Sequence, residues 1–498
     1  MKKEDRRLHH LPKRRTVVWI AILAFSGLIV NALYPPPTQG AVFASPMGWT
    51  VQVDGFPAHP SPPEPMNAQG RLEAVSCVAD RFCEAVGQLQ MNGPYAIYPL
   101  ALSYRGRYWY DQATPTAPPG VKSYGENLEG ISCASEVFCV AVGQIRQHAP
   151  RITPPKGVNP TLMRLLADEN VSKPIIATYN GASWSLQMLS GPFWSGSLAS
   201  VSCPTMGFCM AVGGGRVYAG VSGKRLQFKS APITFTYNGS GWVLMTTPAS
   251  LDKSSLNSVS CVSASFCEAV GYSSASLASA LSGSTDAVIT KYNGATWVVQ
   301  ASPARTAGSD LNGVSCVSSV FCEAVGSGRP ILAIRRVRGR RMMTLGTKQA
   351  LVEKYNGTSW STQGTPAIPV APNEFVTSLY AVSCARVTSC EAVGTWINNY
   401  VIVGPLMEGY DGKHWVIQGS PLEPPYNYKG VNYDAPRLPY YSWTFTDDVS
   451  CTGYACEAVG VIVPNKPNES LRLVGNHTAL IEKHTLASNH PSRVSRHR

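Results

Sequence analysis

The chain is poor in charge for its size, and its cysteines occur nowhere outside one recurring phrase. Only 14% of the 498 residues are charged, and there are nine histidines. No histidine recurs beside the cysteines, no His/Asp/Ser constellation stands out, and no phosphate-binding loop or metal-ligand spacing is apparent. Zinc-binding cysteine pairs are usually separated by about two to four residues and need a second pair or histidines nearby. Here six pairs enclose five residues and the last encloses four, which argues against zinc. No cofactor is implied, and no catalytic residue can be nominated. The formal charge of +12 also shrinks on inspection. Residues 1–15 hold seven basic and two acidic residues and three arginines follow His484, leaving about +4 for the body. So weak a field is no footprint for nucleic acid, which argues against that partner.

What is present is a repeat. Val75-Ser-Cys77 is followed by Phe82-Cys83-Glu-Ala-Val-Gly87, and the phrase occurs seven times in all, at intervals of 55 to 70 residues. The cysteine pairs are Cys77/Cys83, Cys133/Cys139, Cys203/Cys209, Cys261/Cys267, Cys316/Cys322, Cys384/Cys390 and Cys451/Cys456. Such periodicity points to a radial or stacked repeat architecture. Paired cysteines without metal partners fit disulfides made in an oxidising compartment. The five-residue spacer suits an antiparallel hairpin whose flanking cysteines face each other, about 4.5–5.5 Å apart at Cα. Closing a loop of about seven residues gains at most roughly 2.4 kcal/mol, so each bridge staples its own hairpin.

The second half of each unit is equally regular. Ala350-Leu-Val-Glu-Lys-Tyr355 leads through Asn356-Gly357 to Trp360, and Tyr179, Tyr237, Tyr292 and Tyr410 begin similar phrases, with Tyr104 heading a looser copy. Asn-Gly between β-prone runs signals a tight hairpin, because both residues tolerate positive φ. Four strands in each of seven units predict an all-β fold, a seven-bladed β-propeller, over residues 47–484. The recurring tryptophan is expected to pack between neighbouring blades. The last unit lacks its fourth strand, ending at Thr478–His484, and Gly48-Trp49-Thr-Val-Gln-Val53 supplies the missing piece. The last blade is therefore expected to be shared between the two ends of the ring.

The order Leu-x-x-Val-Ser-Cys…Phe-Cys-x-Ala-Val-Gly, then Thr290-x-Tyr-Asn-Gly-x-Thr-Trp297, resembles the repeat of Asp-box (BNR) propellers. That group includes photosystem II assembly-factor, sialidase and sortilin types, and similar cysteine-paired repeats occur in secreted actinobacterial proteins. The chain departs from the Asp-box where the motif has its acid: Tyr104, Tyr179, Tyr237, Tyr292, Tyr355 and Tyr410 stand there. A sialidase would also need an arginine triad and a Tyr/Glu nucleophile pair, and no residues here match them.

The flanks bear on location. Basic residues 1–15 precede an apolar run over residues 16–34, followed by a linker at 35–46; residues 485–498 form a basic tail expected to be disordered. The run reads as a signal peptide or membrane anchor, and its length favours an uncleaved anchor over cleavage near Ala41-Val-Phe-Ala44. The protein is thus expected to work outside the cytoplasm, membrane-anchored or secreted.

Propeller topology places the short cysteine and Asn-Gly turns on one face and the variable links on the other. The longest links are Gln144–Pro174, Ser327–Gln349 and Gly419–Phe445. Variable loops on a rigid frame usually carry function, so the long-loop face is the expected working surface. Its candidate ligand residues are Arg335, Arg336, Arg338, Arg340 and Arg341, suited to phosphate or carboxylate, or alternatively a charged soluble ribbon. Tyr426, Tyr428, Tyr433, Tyr440, Tyr441 and Trp443 offer flat faces for a sugar or Pro-rich peptide, and Phe193 with Trp194 form a smaller version. For each aromatic group the alternative is packing within the ring. Glu84, Glu268, Glu323, Glu391 and Glu457, which recur after the second cysteine, are expected to be structural. The expected partner is a protein or cell-envelope glycan; the rivals are a glycosidase or lyase on the same frame and an assembly factor for a membrane complex.

Overall fold

The computed structural model describes residues 49–53, 68–91, 97–114, 117–118, 121–148, 170–222, 225–273, 285–304, 306–337, 340–366, 375–398, 403–419, 426–428, 431–433, 442–453, 455–464 and 478–486. The strands form seven four-stranded antiparallel blades, and a short extra hairpin, Tyr426–Tyr428 with Val431–Tyr433, makes a sheet of its own. Blade 1 comprises Ala68–Ala79, Phe82–Met91, Ile97–Tyr104 and Trp109–Asp111, and a single parallel bridge, Ile97 to Gly125, joins it to blade 2. Blades 2 to 6 follow in chain order, with inner strands Ser123–Ser135, Ser195–Thr205, Ser254–Ser263, Thr306–Ser318 and Phe375–Arg386. Blade 7 runs Ser442–Cys451, Ala455–Pro464, Thr478–Thr485 and then Thr50–Val53, which pairs antiparallel to the third strand with Thr50 opposite Lys483. The expected shared blade is present.

The ring closes through its own hydrogen bonds. The serine before each first cysteine accepts the backbone N–H of the next blade's first cysteine: Cys133 to Ser76, Cys203 to Ser132, Cys261 to Ser202, Cys316 to Ser260, Cys384 to Ser315 and Cys451 to Ser383, at 2.9–3.0 Å. Cys77 N–H donates to Ser450 Oγ at 2.9 Å and completes the circuit. Val-Ser-Cys recurs because the serine is the clasp between blades and the cysteine is the staple within one.

All seven bridges join the predicted partners. They are Cys77–Cys83, Cys133–Cys139, Cys203–Cys209, Cys261–Cys267, Cys316–Cys322, Cys384–Cys390 and Cys451–Cys456. Their Cα atoms lie 3.9–4.1 Å apart, closer than the expected 4.5–5.5 Å.

The outer layer is a polar relay set in an apolar contact. Each Trp stacks on the Tyr before its turn, with centroids 5.2–5.5 Å apart, and in blade 7 His484 takes the tyrosine's place against Trp49. Trp Nε1 donates to a glutamine of the preceding blade: Trp184 to Gln112, Trp360 to Gln300, Trp415 to Gln363, Trp49 to Gln418 and Trp109 to Gln52. The glutamine stands three residues after its own blade's Trp, so the pattern is Trp-x-x-Gln, and the two ends of the chain obey it. The tryptophan therefore packs between blades as expected.

The Asn-Gly turn differs from expectation. Tyr179 pairs with Trp184, leaving a four-residue loop, and glycine alone takes positive φ, +91° at Gly181. The asparagine acts through its side chain: Asn180 Oδ1 accepts the N–H groups of Ala182 and Ser183 at 3.0 and 2.9 Å. The link Ser327–Gln349 is also more ordered than a loop, because the second strand of blade 5 continues to Val337 and returns as Arg340–Leu345. A similar ribbon spans Arg216 to Ser230 in blade 3.

Candidate functional site

Each inner strand breaks its ladder at the same place. The register slips between Leu72 and Ala74, Leu128 and Gly130, Leu198 and Ser200, Leu256 and Ser258, Leu311 and Gly313, Leu379 and Ala381, and Thr446 and Asp448. These are β-bulges, which re-aim the extra residue out of the ladder. The Gly of each Ala-Val-Gly lies opposite. A Cβ there would sit 1.9–2.1 Å from a carbonyl oxygen of the bulged strand, so no other residue fits without moving backbone. The extra residues are Glu73, Glu129, Ala199, Asn257, Asn312, Tyr380 and Asp447, each four positions before a first cysteine. All seven line one central cavity of about 290 Å³.

This ring is chemically uneven. Blades 7, 1 and 2 present Asp447, Glu73 and Glu129, whereas blades 4 and 5 present Asn257 and Asn312. Arg71 bridges two of the acids, its NH2 group 2.7 Å from Asp447 Oδ1 and its Nε 3.2 Å from Glu73 Oε1. Glu129 Oε1 accepts from Gln144 Nε2 at 2.9 Å and Asn127 Nδ2 at 3.1 Å, both neutral donors. Burial raises the Glu129 carboxyl above its usual range. Glu73 is pushed up to about 7 by burial and by Asp447 and Glu129, against the pull of Arg71. Asp448 accepts the Val75 N–H at 2.9 Å and is raised to about 7, again chiefly by burial. Tyr380 shares a hydrogen bond with Thr395 Oγ1 at 2.8 Å. Among the described residues no group of three His, Cys, Asp or Glu is arranged to hold a metal ion.

Sequence reasoning missed this ring. Its signal was the strand-interior glycine of Ala-Val-Gly, which marks a bulge or close backbone approach, together with the first of the two variable positions in Leu-x-x-Val-Ser-Cys.

The nominated residues lie elsewhere. Arg335 and Arg336 are exposed on the blade 5 ribbon, where Arg336 pairs with Arg341 and Val337 with Arg340; Arg338 lies outside the described residues. Tyr426, Tyr428 and Tyr433 fall in the separate hairpin, Trp443 is the second residue of the inner strand of blade 7, and Tyr440 and Tyr441 lie outside the described residues. Phe193 and Trp194 are buried at 6% and 8% exposure, Trp194 against Phe228 at 5.8 Å, so packing accounts for both rings. Segments 1–15, 16–34 and 35–46 and residues 487–498 also lie outside the described residues.

The second cysteine of each pair belongs to the core, whereas Cys77, Cys133, Cys316, Cys384 and Cys451 are half-buried. Cys139, Cys209, Cys267, Cys322, Cys390 and Cys456 are wholly buried, and Cys83 is nearly so. Each sits on the second strand of its blade, paired on one side to the inner strand and on the other to the third strand. Cys139, for example, lies between Cys133 and Tyr179, and Cys456 between Cys451 and His484. Their side chains pack into the apolar clusters, so they hold the frame.

The recurrent glutamates are buried in the blade contacts. Glu84 accepts from Ser103 Oγ at 2.8 Å and Arg105 at 3.2 Å, Glu391 accepts from Gln418 at 3.1 Å, and Lys483 pairs with Glu457 at 2.9 Å. Glu353, Glu408 and Glu482, on the third strands of blades 5, 6 and 7, are buried as well. Burial pushes Glu408 and Glu323 up to about 8 and Glu84 and Glu353 up to about 7. Seven internal disulfides fit an oxidising, extracytoplasmic setting. Among the described residues no helix is long and apolar enough to cross a membrane.

No family model matches the chain, and no curated protein matches it. Several solved structures are similar in architecture. YCF48 bound to D1 peptide is 8% identical with a TM-score of 0.43, over 91% of this chain and 99% of that one. YCF48 from Cyanidioschyzon merolae is 11% identical at 0.42, over 88% and 98%. A PL25 ulvan lyase bound to a -[GlcA(1-4)Rha3S]- ligand is 12% identical at 0.44, over 83% and 93%.

Proposed function

We propose that the ring is an extracytoplasmic binding module, tethered by residues 16–34 or secreted, that engages a protein or cell-envelope glycan through its long-loop face. The observation that carries this reading is the asymmetry of the two ends. At the cysteine end the blades finish in short turns whose exposed tips carry isolated side chains, Val137, Met206 and Val320 and, in blade 1, Tyr108. At the other end blades 3 and 5 extend ribbons, and Tyr98, Tyr124, Tyr218, Tyr272, Leu332 and Ile334 are exposed there at 36–66%. Aromatic and aliphatic side chains held outward on rigid strands are the ordinary anchors of recognition. Trimming Arg335–Arg341 and Tyr426–Trp443 should abolish capture of envelope glycans and proteins by the purified ring. Undiminished capture after both deletions would refute the placement.

A second reading has its own support. Carboxylates, Arg71 and Tyr380 converge in the channel, as a glycosidase or lyase would require. Turnover of a glycan panel that stops in Glu73→Gln would favour the enzyme; no turnover by the wild type would remove it.

A further inference from the structure

We propose that the cysteine face of the ring lies against an anionic lipid bilayer, so that the long-loop face points away from the membrane. This rests on the tether in the reading above and adds the surface that meets the lipid. The carrying observation is where the chain enters and leaves the ring. Trp49 stacks on His484 and Thr50 pairs with Lys483, while His484 and Lys483 stand opposite Cys456 and Glu457. Entry is therefore at the cysteine turns, and Thr50–Val53 runs from there toward the long loops. Thr478–Thr485 runs the opposite way and ends at the same turns, where Leu486 packs against the cluster that holds Trp49. The apolar run 16–34 and the arginines after His484 are thus joined to one and the same face.

Reach decides between the two faces. Residues 35–48 separate the apolar run from Trp49, and a segment of that length extends to at most about 50 Å. In blade 5 the second strand alone carries 17 residues from the cysteine turn into the ribbon, roughly 55 Å at strand spacing. A linker that joins the ring at the cysteine end cannot set the bilayer beyond that ribbon. The cysteine face also fits a headgroup layer. Five blades present one exposed side chain each at their turns, Tyr108, Val137, Met206, Val320 and Val387, at 47–60%. Single aliphatics and a tyrosine held on rigid turns suit the membrane–water interface, where Tyr is a common anchor. Around them the exposed cations Arg81, Arg105, Arg107, Arg386 and Lys413 outnumber the acids Asp80, Glu136 and Asp411. Residues 487–498 add three arginines and no acid. A cationic surplus beside a membrane is drawn to anionic headgroups.

The test is energy transfer from a dye on the ring to an acceptor lipid. The full chain is reconstituted in vesicles of phosphatidylcholine with about one quarter anionic phosphatidylglycerol. The chain has no free cysteine, so Val320→Cys or Val137→Cys places a single dye on the cysteine face, and Leu332→Cys or Tyr272→Cys a single dye on the long-loop face. Transfer from either cysteine-face dye should exceed that from either long-loop dye by roughly threefold or more, given the length of the strands between them, at unchanged melting temperature. Replacing phosphatidylglycerol by phosphatidylcholine should lower the cysteine-face transfer roughly twofold, because the tether remains and the headgroup attraction is lost. Equal transfer from the two faces, the reverse order, or indifference to lipid charge would each overturn the proposal. So would transfer between Val320 dyes on separate copies that survives dilution in lipid, which would assign the face to a second ring. A chain that fails to float with the vesicles removes the tether and this orientation together, whereas capture of glycans and proteins by the purified ring judges the long-loop reading on its own.

Discussion

The inner and outer positions of one blade obey opposite rules. Outside, the Tyr–Trp stack and the Trp-x-x-Gln relay recur almost unchanged, whereas inside, the bulged residue is Glu, Glu, Ala, Asn, Asn, Tyr and Asp in turn. Uniformity follows blade-to-blade packing, where every unit meets an identical neighbour. Variation follows the cavity, where no such constraint acts. Blade 3 shows how the outer rule bends. It carries Met210 and Met245 where blade 6 carries Glu391 and Gln418, so an apolar pair replaces a polar one as a unit. The consequence falls on the next blade: Trp297 Nε1, which meets Met245 instead of glutamine, has no hydrogen-bond partner among the described residues.

This contrast can be broken or sharpened by substitution. Gly271→Val places side-chain atoms on the Ser255 carbonyl and should cost about 5 kcal/mol or more, seen as a lost or greatly lowered denaturation midpoint. Trp49→Ala should cost about 3–5 kcal/mol by chemical denaturation, since it empties a buried site and frees Gln418 from the blade-closing contact. The buried carboxylates set a pH dependence. Glu408 is kept neutral in the fold by burial, with a pKa of about 8 against an ordinary 4.5. Its contribution is full below about 4.5 and is lost as the pH rises through about 8, so the protein should melt higher at pH 5 than at pH 8. Glu408→Gln should recover about 2–4 kcal/mol at pH 8 and little at pH 5; equal effects at both would discard the burial argument. Met245→Gln, which restores an acceptor beside Trp297, should stabilise by about 1 kcal/mol in the same denaturation assay. Ala199→Asn, at a bulge, should change stability by no more than about 0.5 kcal/mol, because that position faces the cavity.

The ring was legible in the sequence because its rules are local. Val-Ser-Cys, Ala-Val-Gly and Gly-x-x-Trp each fix one contact that every blade repeats, and the missing fourth strand of blade 7 announced where Trp49 belongs. The turn was misjudged because Asn180 is used for its side-chain acceptor and not for its φ. The cavity ring was hidden for a different reason. Glu73 and Asp447 are 374 positions apart in the chain, and although Arg71 is two residues from Glu73, only closure brings Asp447 to it. Their shared feature is a register slip, visible in sequence only as a glycine on the neighbouring strand. The arginine and tyrosine segments drew attention because they are compositionally unusual, which speaks to exposure and not to convergence.

Hydrogen–deuterium exchange of the segment Thr50–Val53 tests closure of the ring most directly. Its amides should be protected to the same degree as those of Thr478–Thr485, with which they pair, and should lose protection together with them in Trp49→Ala. Rapid exchange of Thr50–Val53 in the intact protein, beside a protected Thr478–Thr485, would contradict the closed ring and every contact placed across it.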